Sequence, residues 1–159
     1  MNCSVDDFDR ALLARLESDA RAPLAVLARQ VGLKSSTAHD RLRRLERLGV
    51  VKGYQARLDP KALGLNVTAL VEVSPLHPES PGDLPSRFAS LPGVEACWGV
   101  AGEASYVLKV WAEDTAELET FLDGLRSGMR LNTRTTVILS THFEGRGPAA
   151  TLGRGGAGR

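Results

Sequence analysis

The chain is poor in the residues that build crosslinks and metal sites. It has two cysteines, Cys3 and Cys97, and neither has a neighbour at metal-ligand spacing. That argues against a disulfide framework, and the reducing cytoplasm is the natural compartment. Its histidines, His39, His77 and His142, lie far apart and form no local catalytic signature. No apolar run approaches the roughly 20 residues needed to span a bilayer. No basic start followed by an apolar stretch suggests a secretory leader.

What is present fits a globular protein. Hydrophobic residues make up 43% and charged residues 25% of 159 positions, room for one ordinary domain or two small ones. The formal net charge of +1 hides an asymmetry. Residues 1–60 carry eleven Lys/Arg against eight Asp/Glu (+3), residues 61–144 six against eleven (−5), and the tail from Gly145 three Arg and no acid (+3). A basic front and an acidic rear suggest two modules with different partners.

The front reads as helices. Phe8, Leu12 and Leu16 recur on one face with Leu13 beside them, and Asp6 can cap the first amides while Asp9 sits in the first turn. Pro23 fits a first helical position, Leu24, Leu27, Ala28 and Val31 form a stripe, and Gly32 stops that helix. A third helix is predicted over Ser35 to Leu48, with Ala38, Leu42, Leu45 and Leu48 inward and Gly49 ending it. Val50 to Leu58 looks extended, Asp59-Pro60-Lys61 begins a turn or short helical step, and Gly64 closes the linker.

The period then changes. Leu65, Val67, Ala69, Val71 and Val73 alternate with Asn66, Thr68, Leu70 and Glu72, a strand signal. Pro75, Pro78, Pro81 and Pro85 mark a loop. Leu84, Phe88 and Leu91 fit a short helix ended by Pro92-Gly93. Strands are expected near Val94–Val100 and Ser105–Ala112, joined through Gly102-Glu103-Ala104. A helix from Thr115, its expected N-cap, to Arg126 buries Leu118, Phe121, Leu122 and Leu125, and a last strand runs from about Thr133 to Phe143.

The fold class is therefore α+β: a three-helix helix-turn-helix domain (1–50), a linker strand and hinge (51–64), a ferredoxin-like βαββαβ domain (65–144) and a disordered Gly/Arg tail (145–159). Two helices on one face of the sheet leave the other face uncovered, with Leu70 and Trp98 as candidates for it. Such a face is an interface in an oligomer.

Two short helices meeting at a glycine turn, the second basic on its exposed side, suit major-groove reading. Between Arg29 and Arg57 eight Lys/Arg face two acids. The candidate DNA-binding residues are Ser35, Ser36, Thr37, His39, Asp40, Arg41, Arg43, Arg44 and Arg47. Small residues at the helix start permit close approach, and the arginines supply phosphate attraction. Arg43 can pair with Glu46, and Arg44 with Asp40, at helical spacing. His39 either touches a base or covers the helix surface.

These segments resemble the Lrp/AsnC, or feast/famine, family of regulators. The resemblance lies in Val5-Asp6-x-x-Asp9-x-x-Leu12-Leu13, in Leu24-x-x-Leu27-Ala28-x-x-Val31-Gly32-Leu33, and in Arg41-Leu42-x-Arg44-Leu45-Glu46-x-x-Gly49-Val50-Val51-x-Gly53-Tyr54. Leu58-Asp59-Pro60-x-x-Leu63-Gly64, Leu91-Pro92-Gly93-Val94 and Gly102-Glu103-Ala104-Ser105-Tyr106 continue it. It implies a sequence-specific transcription regulator of double-stranded DNA with a RAM-type second domain. Homodimers would form through the sheets and assemble into octamers, with Val51 to Leu58 pairing across the dimer. It also implies no cofactor, and an amino-acid or related small-molecule effector bound between dimers near Gly102, Glu103, Ala104 and Ser105. Two positions depart from the family pattern. Ser105 stands where the family has Asp, a weaker partner for an ammonium group. Lys34 stands where the third helix often starts with Ser, so Ser35 is expected to take over the cap.

Two other functions are compatible with the same fold: an architectural DNA-coating protein without effector, and an enzyme resembling sirohaem decarboxylases. The scattered histidines disfavour the enzyme. The reading is a cytoplasmic, non-enzymatic DNA-binding protein with no membrane partner.

Overall fold

A computed structural model describes residues 5–76 and 83–149. The chain divides into two compact units: residues up to Ala56 together with the segment from Phe143, and Arg57–His142. The division falls inside the expected linker. The start of the expected tail, through Ala149, groups with the first unit, and residues 150–159 lie outside the described residues.

The first unit has three helices, α1 (Asp7–Ser18), α2 (Leu24–Gln30) and α3 (Ser35–Arg47). A capping box starts α1: the Asp9 amide donates to Asp6 Oδ1 at 2.8 Å and the Asp6 amide to Asp9 Oδ2 at 3.1 Å. Pro23 is the N-cap of α2 and not its first helical residue. Gly32, at φ +72°, makes the turn into α3, a left-handed conformation that a side chain would oppose. The α3 cap differs from expectation: Lys34 is the N-cap and contributes no side-chain bond, while Ser35 is already helical. Leu12, Leu16, Leu27, Ala28 and Ala38 form the small core, with Leu24, Val31, Leu42 and Val51 packed around it. Leu45 is also fully buried. Two expected inward residues are not buried. Phe8 is half exposed, under the Arg41 guanidinium at 5.7 Å, and Leu48 is half exposed because α3 ends at Arg47. Residues 52–58 form no regular secondary structure.

The second unit opens with a 3₁₀ turn (Lys61–Leu63) ended by Gly64, then β1 (Val67–Pro75), α4 (Leu84–Ala89), β2 (Val94–Gly99), β3 (Tyr106–Ala112), α5 (Thr115–Asp123) and β4 (Leu131–Val137). The strand order is β2-β3-β1-β4, with every neighbouring pair antiparallel. This is the expected βαββαβ plan. Alternation sends Ala69, Val71, Val73, Leu108, Val110 and Ala112 to one face. They pack there with Leu84 and Phe88 of α4 and with Leu118 and Leu122 of α5. The opposite face carries Leu70, opposite Lys109 and Thr136, and Trp98, opposite Val107. Both candidates thus lie on the uncovered face. Lys109 is buried there, paired with Glu95 at 2.5 Å and 5.5 Å from the Trp111 ring centre.

Several boundaries move. β1 runs two residues later than its alternation suggests. β4 stops at Val137 although the β-branched pattern continues; Ile138 donates once more to Thr68, after which Leu139 and Phe143 are exposed. Asp114, not Thr115, caps α5, accepting from the amides of Ala116 (2.9 Å) and Glu117 (2.8 Å). Phe121 is only partly buried. Pro85 belongs to the first turn of α4 and not to the loop, where a missing amide proton costs nothing. His77, Pro78 and Pro81 lie outside the described residues.

Candidate nucleic-acid interface and effector loop

The faces of α3 separate its charged residues. Ala38 and Leu45 are buried, so the opposite face looks outward: Ser36, Asp40, Arg43 and Arg47 recur at steps of four, three and four, with His39 beside them. All five are exposed, as are Ser35 and Thr37 in the first turn. This part of the expected site is one continuous, outward surface. A helix bearing it fits the width of the major groove.

Arg41 and Arg44 are placed differently. They share the edge of α3 that faces α1 and converge on Asp9, whose side chain is 0% exposed. Arg41 Nη1 donates to Asp6 Oδ2 at 2.6 Å and to Asp9 Oδ1 at 2.9 Å, while Arg44 Nη2 donates to Asp9 Oδ2. A carboxylate this deep is tolerable only when paired and hydrogen-bonded, and Asp9 is both. The Arg41 hydrogen bond, followed by the Asp9 amide, holds the Asp6 carboxyl below its ordinary range. The same two carboxylates push the Arg41 guanidinium up. The expected Arg44–Asp40 pair is therefore replaced by Arg44–Asp9 across helices. Glu46 accepts from the Tyr54 hydroxyl at 2.8 Å, tying the segment after α3 back to it. Desolvation, helped by Glu46, pushes that phenol up to about 12.

The acids were read from sequence only as cap and first-turn residues. Their second role was signalled by Asp6-x-x-Asp9 matching Arg41-x-x-Arg44: equal spacing of opposite charge on two helices that must pack.

In the second unit Gly102, Glu103, Ala104 and Ser105 form the connection between β2 and β3. It is pinned by backbone bonds, Ser105 N to Val73 O and Val100 N to Ser105 O, both 3.1 Å. Ala104 and Glu103 line a shallow cavity of about 160 Å³ with Glu72, Ser74, Asn132, Thr133 and Arg134. Arg134 Nη1 lies 3.9 Å from Glu103 Oε2, and with Glu72 the cavity carries two carboxylates and one guanidinium. Gly102 and Ser105 are not among its lining residues. Sequence reasoning missed the β1 and β4 contributors because strand pairing, and no local motif, brings them to the loop.

Among the described residues no group of His, Cys, Asp and Glu could hold a metal ion. Cys97 packs against the sheet core, and burial pushes its thiol up, away from nucleophilic character. No described helix is long and apolar enough to cross a membrane.

Comparison with known proteins gives a consistent result. The AsnC-type helix-turn-helix domain model matches residues 5–46, and the Lrp/AsnC ligand binding domain model matches residues 66–148. The HTH-type transcriptional regulator LrpA of Mycobacterium tuberculosis is 44% identical over 146 residues, covering 92% of this chain and 97% of that protein. AldR of Mycolicibacterium smegmatis, another HTH-type transcriptional regulator, is 35% identical, covering 91% of this chain and 86% of the relative. The feast or famine regulatory protein of M. tuberculosis complexed with L-methionine superposes with a TM-score of 0.87 at 43% identity, covering 91% of this chain and 98% of the other. A Neisseria meningitidis transcriptional regulator in complex with L-Met gives a TM-score of 0.82 at 26% identity, covering 89% and 94% of the two chains.

Proposed function

The chain belongs to the Lrp/AsnC family of helix-turn-helix transcription regulators, and from that premise we propose how its two units divide the work. The first unit binds double-stranded DNA through the outward face of α3. Ser35, Ser36, Thr37 and His39 approach base edges, and Arg43 and Arg47 contact phosphates. The observation that carries this reading is the unbroken exposed stripe of Ser36, Asp40, Arg43 and Arg47 on the face opposite buried Ala38 and Leu45. Phosphate contacts fix register, while groove contacts carry sequence information.

The second unit assembles the protein and senses a small molecule. Support for assembly comes from the sheet face bearing Leu70 and Trp98, the latter 48% exposed. It also comes from an apolar cavity of about 700 Å³ in the first unit, between α1 and residues 50–55, a seat for the partner's equivalent segment. The assembly is a homodimer that builds toward octamers. The effector is an amino acid, a reading supported by two relatives solved in complex with L-methionine, and its seat in this chain is near Gly102–Ser105. Ser105 supplies no negative charge, and the cavity lined by Glu72 and Glu103 offers their carboxylates to an ammonium group. The protein acts in the cytoplasm, without cofactor and without catalysis.

Footprinting on genomic DNA tests the function. Spaced, sequence-dependent protection is expected, whereas uniform coating would indicate an architectural protein. Thermal unfolding with millimolar L-methionine and the other amino acids tests the sensor, because a ligand of the native state raises its stability. No shift with any of them would remove the effector from the account.

A further inference from the structure

Four arginines crowd α3, yet two are already neutralised inside the protein. Asp6 and Asp9 together balance Arg41 and Arg44, and the side chains of those arginines are only 26% and 37% exposed. Arg44 nevertheless borders the outward stripe, since it stands four residues after Asp40 and three before Arg47. Arg41 stands four residues after Thr37. Both would face phosphate if released.

Stability alone is a poor reason for this arrangement. A buried ion pair seldom outperforms well-packed apolar residues of the same volume. Its effect on DNA binding is larger. Non-specific affinity scales with the number of phosphates that cations neutralise. What a regulator needs is the ratio of specific to non-specific binding. Every arginine held by an internal carboxylate lowers the non-specific part and leaves the base-facing residues untouched.

We propose that Asp9, helped by Asp6, is an internal phosphate mimic that occupies Arg41 and Arg44, restrains non-specific binding and so acts as a positioning and specificity-determining residue of the DNA interface. The inference rests on the reading that α3 faces duplex DNA. Each carboxylate oxygen of Asp9 takes one guanidinium donor, Oδ1 from Arg41 and Oδ2 from Arg44, the charge-assisted kind of bond that a phosphate would offer them. The same contacts set the angle of α3 against α1, so freeing the arginines also loosens the helix that reads sequence.

The test uses the full chain and random-sequence duplex, with affinity measured between about 50 and 200 mM salt. Arg41→Gln and Arg44→Gln, made singly, should leave the slope of log affinity against log salt unchanged. Asp9→Asn should steepen it by about 0.9 for each arginine released, hence up to about 1.8, and lower the ratio of operator to random-sequence affinity. Asp6→Asn should steepen it by at most about 0.9. Adding Arg41→Gln and Arg44→Gln to Asp9→Asn should restore the wild-type slope, which a role confined to folding would not do. Circular dichroism checks each fold. If Asp9→Asn unfolds, the half-exposed Asp6→Asn and the two single arginine variants decide. A slope flattened by about 0.9 in either arginine variant, or unchanged in folded Asp9→Asn or Asp6→Asn, overturns the proposal. Absence of any duplex binding by the wild-type protein at low salt instead overturns the DNA reading beneath it.

Discussion

The helical unit and the sheet unit are held together by different physics. In the sheet unit twelve apolar residues, Phe88 and Leu108 among them, pack into one dry layer between sheet and helices. In the helical unit the corresponding cluster has five residues, two of them alanines, and at its edge a carboxylate with no exposure grips two arginines of the next helix. Packing is tolerant of substitution as long as volume is kept, whereas a charge cluster fixes an angle but depends on ionisation. A scaffold that must pair with copies of itself can rely on the first. A helix that must enter a groove at one inclination benefits from the second.

The largest expected effect falls on the sheet unit. Phe88→Ala should cost about 3–5 kcal/mol, as full loss of a buried ring does, and thermal unfolding of the sheet would show it. A loss below about 1 kcal/mol would mean that α4 is not part of the core. Gly93→Ala comes next. Gly93 has φ +81°, and an added Cβ would meet the Trp111 carbonyl oxygen at 2.6 Å. That oxygen is backbone and cannot swing away, so roughly 1–3 kcal/mol is expected from overpacking and strain. The comparable change in the helical unit is Asp9→Ala. It strands two arginines that can still reach water, and about 1–3 kcal/mol is expected.

Acid should separate the units further. The folded-state carboxyl of Asp6 lies below its ordinary value of 3.8, so its contribution is complete above that value and disappears as pH falls through the lower, folded one. An acid titration followed by helical circular dichroism should therefore show loss below pH 3.8 that Asp6→Asn makes smaller. At the alkaline end the sign reverses. Tyr54 is raised from 10.0 to about 12, so its bond to Glu46 is intact below pH 10 and is lost towards 12. Tyr54→Phe is the mildest change, about 0.5–1.5 kcal/mol, and should remove that alkaline step.

The two units were also unequally legible in the sequence. Helix positions, the order of helices and strands along the chain and the core face of β1 follow from period and from the turn residues, because each is a local consequence of where apolar side chains recur. Caps and ends were less secure. Asp114 outcompeted Thr115 because its carboxylate reaches two amides, and β4 ended at Val137 because β-branched residues beyond it have no strand to pair with over more than one bond. The α3 surface was half legible. Ser36, His39, Asp40, Arg43 and Arg47 lie outward as a helical wheel requires, but charge counting cannot tell a phosphate ligand from an internal partner. Arg41 and Arg44 were therefore grouped with Arg43 and Arg47 as DNA-binding candidates, and only the packing of α1 on α3 brings them to Asp6 and Asp9. The cavity beside Glu103 was invisible for the same reason, since β1 and β4 contribute residues remote in sequence.

The salt dependence of duplex binding by Arg43→Ala/Arg47→Ala is the sharpest probe of where DNA touches the protein. If these two outward arginines meet phosphates, the slope should fall by about 1.8 from wild type with the fold intact. A wild-type slope in the folded double variant would place the contact elsewhere and contradict the assignment of α3 as the reading helix.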